Sequence, residues 1–466
     1  MRVLVRGMRA LMASLGLVEE GALGAGAAAA VEEGAGTVRK RRANQDMRTL
    51  PKVVLPPADA NLPMPLRIGS GSRMEYDNPW APGATKKSLA ELWKMLRSKE
   101  RPAVMEPTLH QAREDLPLAK VELDAIKSHG SQDPMQLTWI GHATLLLQMH
   151  GMNILTDPVF SERCSAHQSV GPKRYVPPAM AIRELPPIDV VLVSHSHYDH
   201  LDKASVDQLG NGPLWLVPEG LKPWMRNRGI THCQELNWWS EVRLQGGAMK
   251  VACCPAQHWT ARHPWDRNRS LWCGWAVSAG QEKFYFCGDT AAAPVFPSIA
   301  DRYGPFDMAA IPIGAYSPRW FMKEQHCDPA EAVDIHVQLR SKRSVGIHWG
   351  TFPLAYDGYL DAAQELVQAC HDKGVKGSEF CVVSATAHAP PPRPTAMIGA
   401  QARRELGQGS PATLRLPVWR GPPGRRHHRS SSRGCRELAT YPHSGEAGKT
   451  LVGEHSSISH RCDCTP

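Results

Sequence analysis

The sequence predicts an α/β fold built on mixed sheets, and three observations carry that prediction. Short apolar runs of strand length recur through the middle of the chain, from MQLTWIGHATLLLQ to SVGIHWG. Amphipathic stretches with helical period lie between them, such as KASVDQLG and DPAEAVDIHVQLR. Several strands also follow one another too closely for an intervening helix, which requires hairpins and argues against a purely parallel, doubly wound sheet.

Residues 1–60 are Ala/Gly-rich and then basic (Arg39-Lys40-Arg41-Arg42), without core periodicity, and read as a disordered leader. Their start, MRVLVRGMRALMASLGLV, carries three arginines and no acid before Glu19, a composition compatible with mitochondrial targeting. Residues 61–134 are expected to form an N-terminal helical extension packed on the core. In SLAELWKMLRSKE, Leu89, Leu92, Trp93 and Leu96 share one helical face, which is read as packing on the core, with a surface-seeking face as the alternative.

A catalytic domain is expected over residues 135–386. MQLTWIGHATLLLQMHGMNILTDP reads as two strands joined by a turn at His150-Gly151-Met152-Asn153. IDVVLVSH is nearly continuous in apolar residues, as expected of a strand covered on both faces. MKVACCP, LWCGWAVSA, KFYFCGD and SVGIHWG supply further strands. KASVDQLG is a helix capped by Asp202, and DPAEAV starts another with Asp328 at its cap and Pro329 at its first position. DAAQELVQACHDKG is a third, closed by Gly374. Residues 387–466 are Pro-, Arg- and Ser-rich without period and read as a disordered basic tail.

The formal net charge of +9 is uneven: Pro391–Pro466 hold twelve Lys/Arg against five Asp/Glu. The rest is nearly neutral, so no nucleic-acid partner is expected. Twelve cysteines without a CxxC pair favour a reduced, intracellular setting. No apolar run reaches the roughly 18 residues needed to span a bilayer.

The chemistry concentrates in VLVSHSHYDHLD. His195, His197, Asp199 and His200 follow a buried strand, and a tight turn there splays their side chains towards common points. Imidazole and carboxylate donors suit Zn²⁺, with Fe or Mn also compatible. More donors sit at other strand ends: His258 after MKVACCP, Asp289 in FCGDT, and His348 in SVGIH. Asp157, in LTDP, is placed to brace the cluster by hydrogen bonding. This is the layout of a binuclear hydrolytic site.

Taken in order, HxHxDH, His258, Asp289 and His348 resemble the metallo-β-lactamase superfamily. TWIGHATLLLQ, ILTDPVFSERCS, CCPAQHW, IPIGAYSPRWFMKEQHCDPAEAV and IHWGTF further resemble its N-acyl-phosphatidylethanolamine-hydrolysing phospholipase D family, PRWFMKEQHCDP most specifically. The resemblance implies an αβ/βα sandwich of two mixed sheets with helices on the outer faces. It implies two Zn²⁺ per subunit: one held by His195, His197 and His258, the other by Asp199, His200 and His348, with Asp289 bridging. Asp289 and Asp199 then belong to the catalytic set. His326 joins them as a donor to the leaving alkoxide if protonated, and Gln325 and His326 fall near the substrate head group. The implied reaction is hydrolysis of N-acyl-phosphatidylethanolamine to an N-acylethanolamine and phosphatidic acid, on a membrane surface, by a peripheral homodimer. LWLVPEGLKPWMRNRG, mixing Trp, Leu and Arg, is the expected lipid contact. A metal-dependent lactonase or phosphate-ester hydrolase acting on a small soluble substrate is the alternative, since TWIGHATLLL and LTDP resemble that branch too.

Overall fold

The computed structural model describes residues 49–56, 62–98, 109–116 and 121–382. All lie in the first of two compact units, Met1–Thr395; the second, Ala396–Pro466, lies outside the described residues. So do the expected basic tail and nearly all of the expected leader. The leader's described end is a correction. Val53–Val54 (β1) pairs antiparallel with Val242 and Glu241, and two residues of backbone pairing leave no periodic trace in a sequence.

Residues 61–134 contain strands as well as helices. β2 (Leu66–Ile68) and β3 (Glu75–Asp77) form a hairpin, followed by α1 (Leu89–Arg97), α2 (Leu109–Asp115) and α3 (Leu123–Ser128). Ser88 starts α1 with a capping box: its Oγ accepts from the Glu91 N–H at 3.2 Å, and the Glu91 carboxylate accepts from the Ser88 N–H at 2.8 Å. The buried face of α1 is Leu92 and Met95, whereas Leu89 and Trp93 are 79% and 63% exposed. The expected packing face is therefore corrected. The partner surface is formed by Phe321, Met322, Ala355 and Tyr356, and Leu96 packs against it half-buried, so Leu92 and Leu96 of the expected face turn inward and Leu89 and Trp93 do not.

The domain proper opens with three strands where two were expected: β4 (Gln136–Gly141), β5 (Thr144–Met149) and β6 (Met152–Thr156). The missed turn is Gly141-His142, with φ of 142° and 57°. A left-handed histidine is not a turn signal, so the apolar run read through it. Next come β7 (Val190–Leu192), α4 (Lys203–Leu209), β8 (Leu214–Pro218), α5 (Lys222–Asn227) and β9 (Cys233–Leu236). Strands β4 to β9 form one sheet in chain order, antiparallel as far as β6 and parallel beyond it.

The second half holds β10 (Glu241–Leu244), β11 (Met249–Cys254), β12 (Gly274–Ala279), β13 (Glu282–Phe286), α6 (Phe296–Tyr303), β14 (Met308–Pro312), α7 (Arg319–Met322), α8 (Pro329–Gln338), β15 (Ser344–Ile347), α9 (Asp361–Asp372) and β16 (Phe380–Val382). With β1 they make an eight-stranded sheet in the order β1-β10-β11-β12-β13-β14-β15-β16, antiparallel up to β13 and parallel after it.

Alternation explains the layering. Leu145, Leu147, Val190, Leu192, Leu214 and Leu216 face the core shared with Val251, Val277 and Phe284 of the other sheet. Their neighbours Leu146, Val191, Val193, Trp215 and Val217 face outward onto Val206 of α4, Met225 of α5 and Ile126 of α3. Ala332, Val333 and Ile335 of α8 and Leu366 of α9 join the core from the eight-stranded side. The result is the αβ/βα sandwich. It also overturns LWLVPEGLKPWMRNRG as a lipid contact: this stretch is β8 and α5, and Leu214, Trp215, Leu216, Val217, Leu221 and Met225 are buried. A centrally placed parallel strand is apolar because both its faces are covered.

Candidate metal centre

The loop after β7 carries four of the seven expected ligands. A single tight turn, with the His200 N–H donating to the His197 carbonyl at 3.1 Å, brings them round. Buried Arg262 braces that loop, its Nη1 donating to the carbonyls of Ser196 and Leu201 at 2.8 Å each. The eight-stranded sheet supplies the rest from its own strand ends: His258 beyond β11, Asp289 beyond β13 and His348 immediately after β15. Gly288 makes the approach of the two sheets possible. Its φ is +61°, and a Cβ there would lie 2.6 Å from the Ser194 Cβ.

The seven residues converge at the seam between the sheets. His195, His197 and His258 form one buried group of candidate ligand atoms, with Nε2 of His195 and of His258 lying 2.8 and 3.2 Å from Nδ1 of His197. Asp199, His200 and His348 form a second together with His142, the Nε2 atoms of His200 and His348 each lying 3.3 Å from Asp199 Oδ2. Asp289 lies between them: Oδ2 is 3.1 and 3.0 Å from Nε2 of His200 and His348, and 3.9 and 3.7 Å from those of His195 and His258.

Supporting hydrogen bonds orient the rings. Asp157, at the end of β6, accepts from His200 Nδ1–H at 2.6 Å, from the Ser194 backbone N–H at 2.6 Å and from the Ser194 hydroxyl at 2.5 Å. Ser194 Oγ also lies 2.9 Å from His195 Nδ1, so one carboxylate orients two rings. His258 Nδ1–H donates to the Gln325 carbonyl at 2.8 Å. Each of these bonds leaves the opposite ring nitrogen turned towards the cluster.

A cation fits this arrangement. Nε2 of His200 is buried without a hydrogen-bond partner while facing two carboxylates, and Asp289 Oδ1 is equally orphaned. Burial alone would discharge His200, but Asp289, Asp199 and Asp157 raise its pKa well above the usual imidazole range. Burial likewise opposes His348, which Asp289 and Asp199 nonetheless push up to about 9. The positive charge that these acids demand is what a divalent metal supplies in place of protons. The other group stays neutral and ready to ligate. Burial lowers His195 and His197 well below normal, and lowers His258 to about 4 although Asp289 pulls the other way.

The cleft above the cluster has a polar floor and an apolar wall. His197, Asp199, Asp289, Gln325, His326 and His348 line the floor, while Met95, Trp259, Phe321, Met322 and Leu354 line the wall. His326 is buried with Nδ1 unpartnered, 4.0 Å from Asp289 Oδ2. Burial holds its pKa well below normal, although Asp289 pulls the other way. The Gln325 side chain lines the same cleft, but its backbone carbonyl is what fixes His258.

Sequence reasoning passed over His142. It is buried in the turn between β4 and β5, with Nε2 3.0 Å from Asp199 Oδ2. The available signal was that it, too, is a histidine at a strand end.

Comparison with known proteins agrees with this geometry. The family described as a β-lactamase superfamily domain matches residues 152–349. The Caenorhabditis elegans protein named N-acyl-phosphatidylethanolamine-hydrolyzing phospholipase D 1 is 43% identical over 303 residues, covering 60% of this chain and 84% of that protein. A Saccharomyces cerevisiae protein of the same name, designated mitochondrial, is 34% identical over 262 residues, 55% of this chain and 56% of its own. Among solved structures, isothiocyanate hydrolase from Delia radicum gut bacteria is 18% identical at a TM-score of 0.47, covering 55% of this chain and 99% of that one, too distant to bear on the chemistry.

Proposed function

Because this chain is a metal-dependent hydrolase of the β-lactamase superfamily and belongs to its N-acyl-phosphatidylethanolamine-hydrolysing phospholipase D family, we propose that it is a zinc phosphodiesterase. It hydrolyses N-acyl-phosphatidylethanolamine between phosphorus and the ethanolamine oxygen, releasing an N-acylethanolamine and phosphatidic acid. The observation that carries this reading is the cleft: an imidazole–carboxylate floor suited to a phosphodiester meets a wall of Met95, Phe321, Met322 and Leu354 suited to acyl chains.

His195, His197 and His258 would hold one Zn²⁺, and Asp199, His200 and His348 a second, with Asp289 between them. When bound, such metals lower the pKa of water towards neutrality and offset phosphate charge. The chain's own residues do the rest. Asp157 and Gln325 keep the rings in register. His326 would offer an N–H to a phosphoryl or leaving oxygen. The apolar wall keeps water from the acyl end of the cleft.

Membrane docking is part of the same proposal. Leu89 and Trp93 project from α1, whose opposite face walls the cleft, and Lys94 lies 4.2 Å from the Trp320 ring centroid beside them. Among the described residues no helix is long and apolar enough to cross a membrane, so attachment is peripheral in this reading. A homodimer and a mitochondrial location complete it, the latter supported by the name of the yeast relative.

The test is to incubate purified protein with N-acyl-phosphatidylethanolamine and, separately, phosphatidylcholine, with and without chelator. Chelator-sensitive release of N-acylethanolamine from the first lipid is expected. Chelator-insensitive release, or turnover only of soluble lactones or phosphate esters, would overturn the proposal.

A further inference from the structure

We infer that His142 is a positioning residue for the Asp199–His200–His348 half of the centre, its ring holding the Asp199 carboxylate in the orientation that binds metal. The inference rests on the reading of this cluster as a metal site.

Three imidazoles converge on Asp199 Oδ2: His142 at 3.0 Å, and His200 and His348 at 3.3 Å each. His200 and His348 also face Asp289, at 3.1 and 3.0 Å. The His142 ring does not share that second partner; among the described residues its carboxylate contact is Asp199 alone. Its ring atoms lie within the same group of candidate ligand atoms, but it meets one acid where His200 and His348 meet two, which suits a donor to Asp199 better than a ligand shared with Asp289. A neutral ring has one N–H. With that proton on Nε2, donated to Asp199, Nδ1 is left bare, and Nδ1 is indeed buried without a partner.

The backbone places the ring deliberately. His142 adopts φ +57°, a left-handed conformation that disfavours residues with a Cβ, so glycine would serve a mere turn better. Its N–H donates to Thr351 Oγ1 at 2.8 Å, and its carbonyl accepts from the His348 N–H at 3.2 Å and the Trp139 indole N–H at 2.9 Å. The turn is thus latched to the segment that carries the ligand His348. The ring lies 4.1 Å from that of His348 and meets Phe352 edge-on at 5.3 Å, so it is held on three sides. A carboxylate that would otherwise rotate about its last torsion is oriented by a donor that is itself immobile.

The test compares full-length wild type, His142→Leu and His142→Gln. Each is loaded with Zn²⁺, dialysed against a weak chelator and assayed for metal per chain. Glutamine places an amide N–H near the position of imidazole Nε2, and leucine fills the space without a donor. Wild type and His142→Gln are expected to retain two metals, and His142→Leu one, with the second dissociation constant raised roughly 10- to 100-fold. The metal-free melting temperatures of all three should coincide. Wild-type retention by His142→Leu would overturn the inference. Equal loss in the leucine and glutamine variants would do the same, because packing and not the hydrogen bond would then be responsible. A wild type that binds no metal removes the metal-centre reading itself. Should His142→Leu be insoluble, His142→Asn replaces it, since its amide reaches only the Nδ1 position.

Discussion

At the residue scale the site is a problem of charge. Asp289 sits among five imidazoles with its pKa depressed far below the carboxylate range: burial works against ionisation, but His200 and His348 more than compensate. Asp289→Asn removes the anion nearest both groups and should cost both metal content and rate, read by metal analysis and turnover. Asp157→Asn is different in kind, because Asp157 is one step removed from the cluster. Burial raises its pKa, and its bonds with His200 and Ser194 work in the opposite direction. An amide in its place misorients the ring that it should fix, so metal affinity is expected to fall roughly 10- to 100-fold, measured by competition with a chromophoric chelator. Unchanged affinity would mean that Asp157 is merely structural.

At the scale of elements, α1 shows what an amphipathic pattern does and does not say. Its helical period was legible, but the pattern was wide enough for two faces, and tertiary contact chose between them. Met95 turns inward, where its carbonyl accepts from the Tyr356 hydroxyl at 3.1 Å, leaving Leu89 and Trp93 outside. Replacing both by serine should abolish flotation with anionic liposomes while leaving metal content and turnover of a soluble phosphodiester unchanged. Retained flotation would place the membrane contact elsewhere. The helix starts were legible for a firmer reason, since capping is local. Asp328 accepts from the Glu331 N–H at 2.9 Å, and Asp202 accepts from the N–H groups of Ala204 and Ser205 at 3.3 and 3.2 Å, both as the sequence implied. The turn at His142 was not legible, because neither of its cues, a left-handed histidine and a latch to Thr351 more than two hundred residues away, is local.

At the scale of the molecule, the centre is a clasp. One sheet supplies His195, His197, Asp199 and His200, the other His258, Asp289 and His348, and Gly288 comes close against Ser194 between them. A metal that binds only the assembled seam stabilises the whole fold by about 4 kcal/mol at a thousandfold excess over its dissociation constant. Chelation should accordingly lower the melting temperature by roughly 10 °C, reversed by Zn²⁺ and followed by calorimetry. An unchanged melting temperature would mean that the sheets are held without the metal.

By itself the sequence determined the candidate ligand types, their order and their places at strand ends, along with the strands that carry them. These are local properties: a donor next to an apolar run can be read within ten residues. Only the tertiary structure decided that Asp157 orients His200 and, through Ser194, His195; that the Gln325 carbonyl, not its amide, fixes His258; and that His142 meets Asp199. It also decided that Leu214, Trp215, Leu216, Val217, Leu221 and Met225 lie inside while Leu89 and Trp93 face out. Orientation and exposure depend on which surfaces meet, and those meetings join residues dozens to hundreds of positions apart, beyond the reach of any local period.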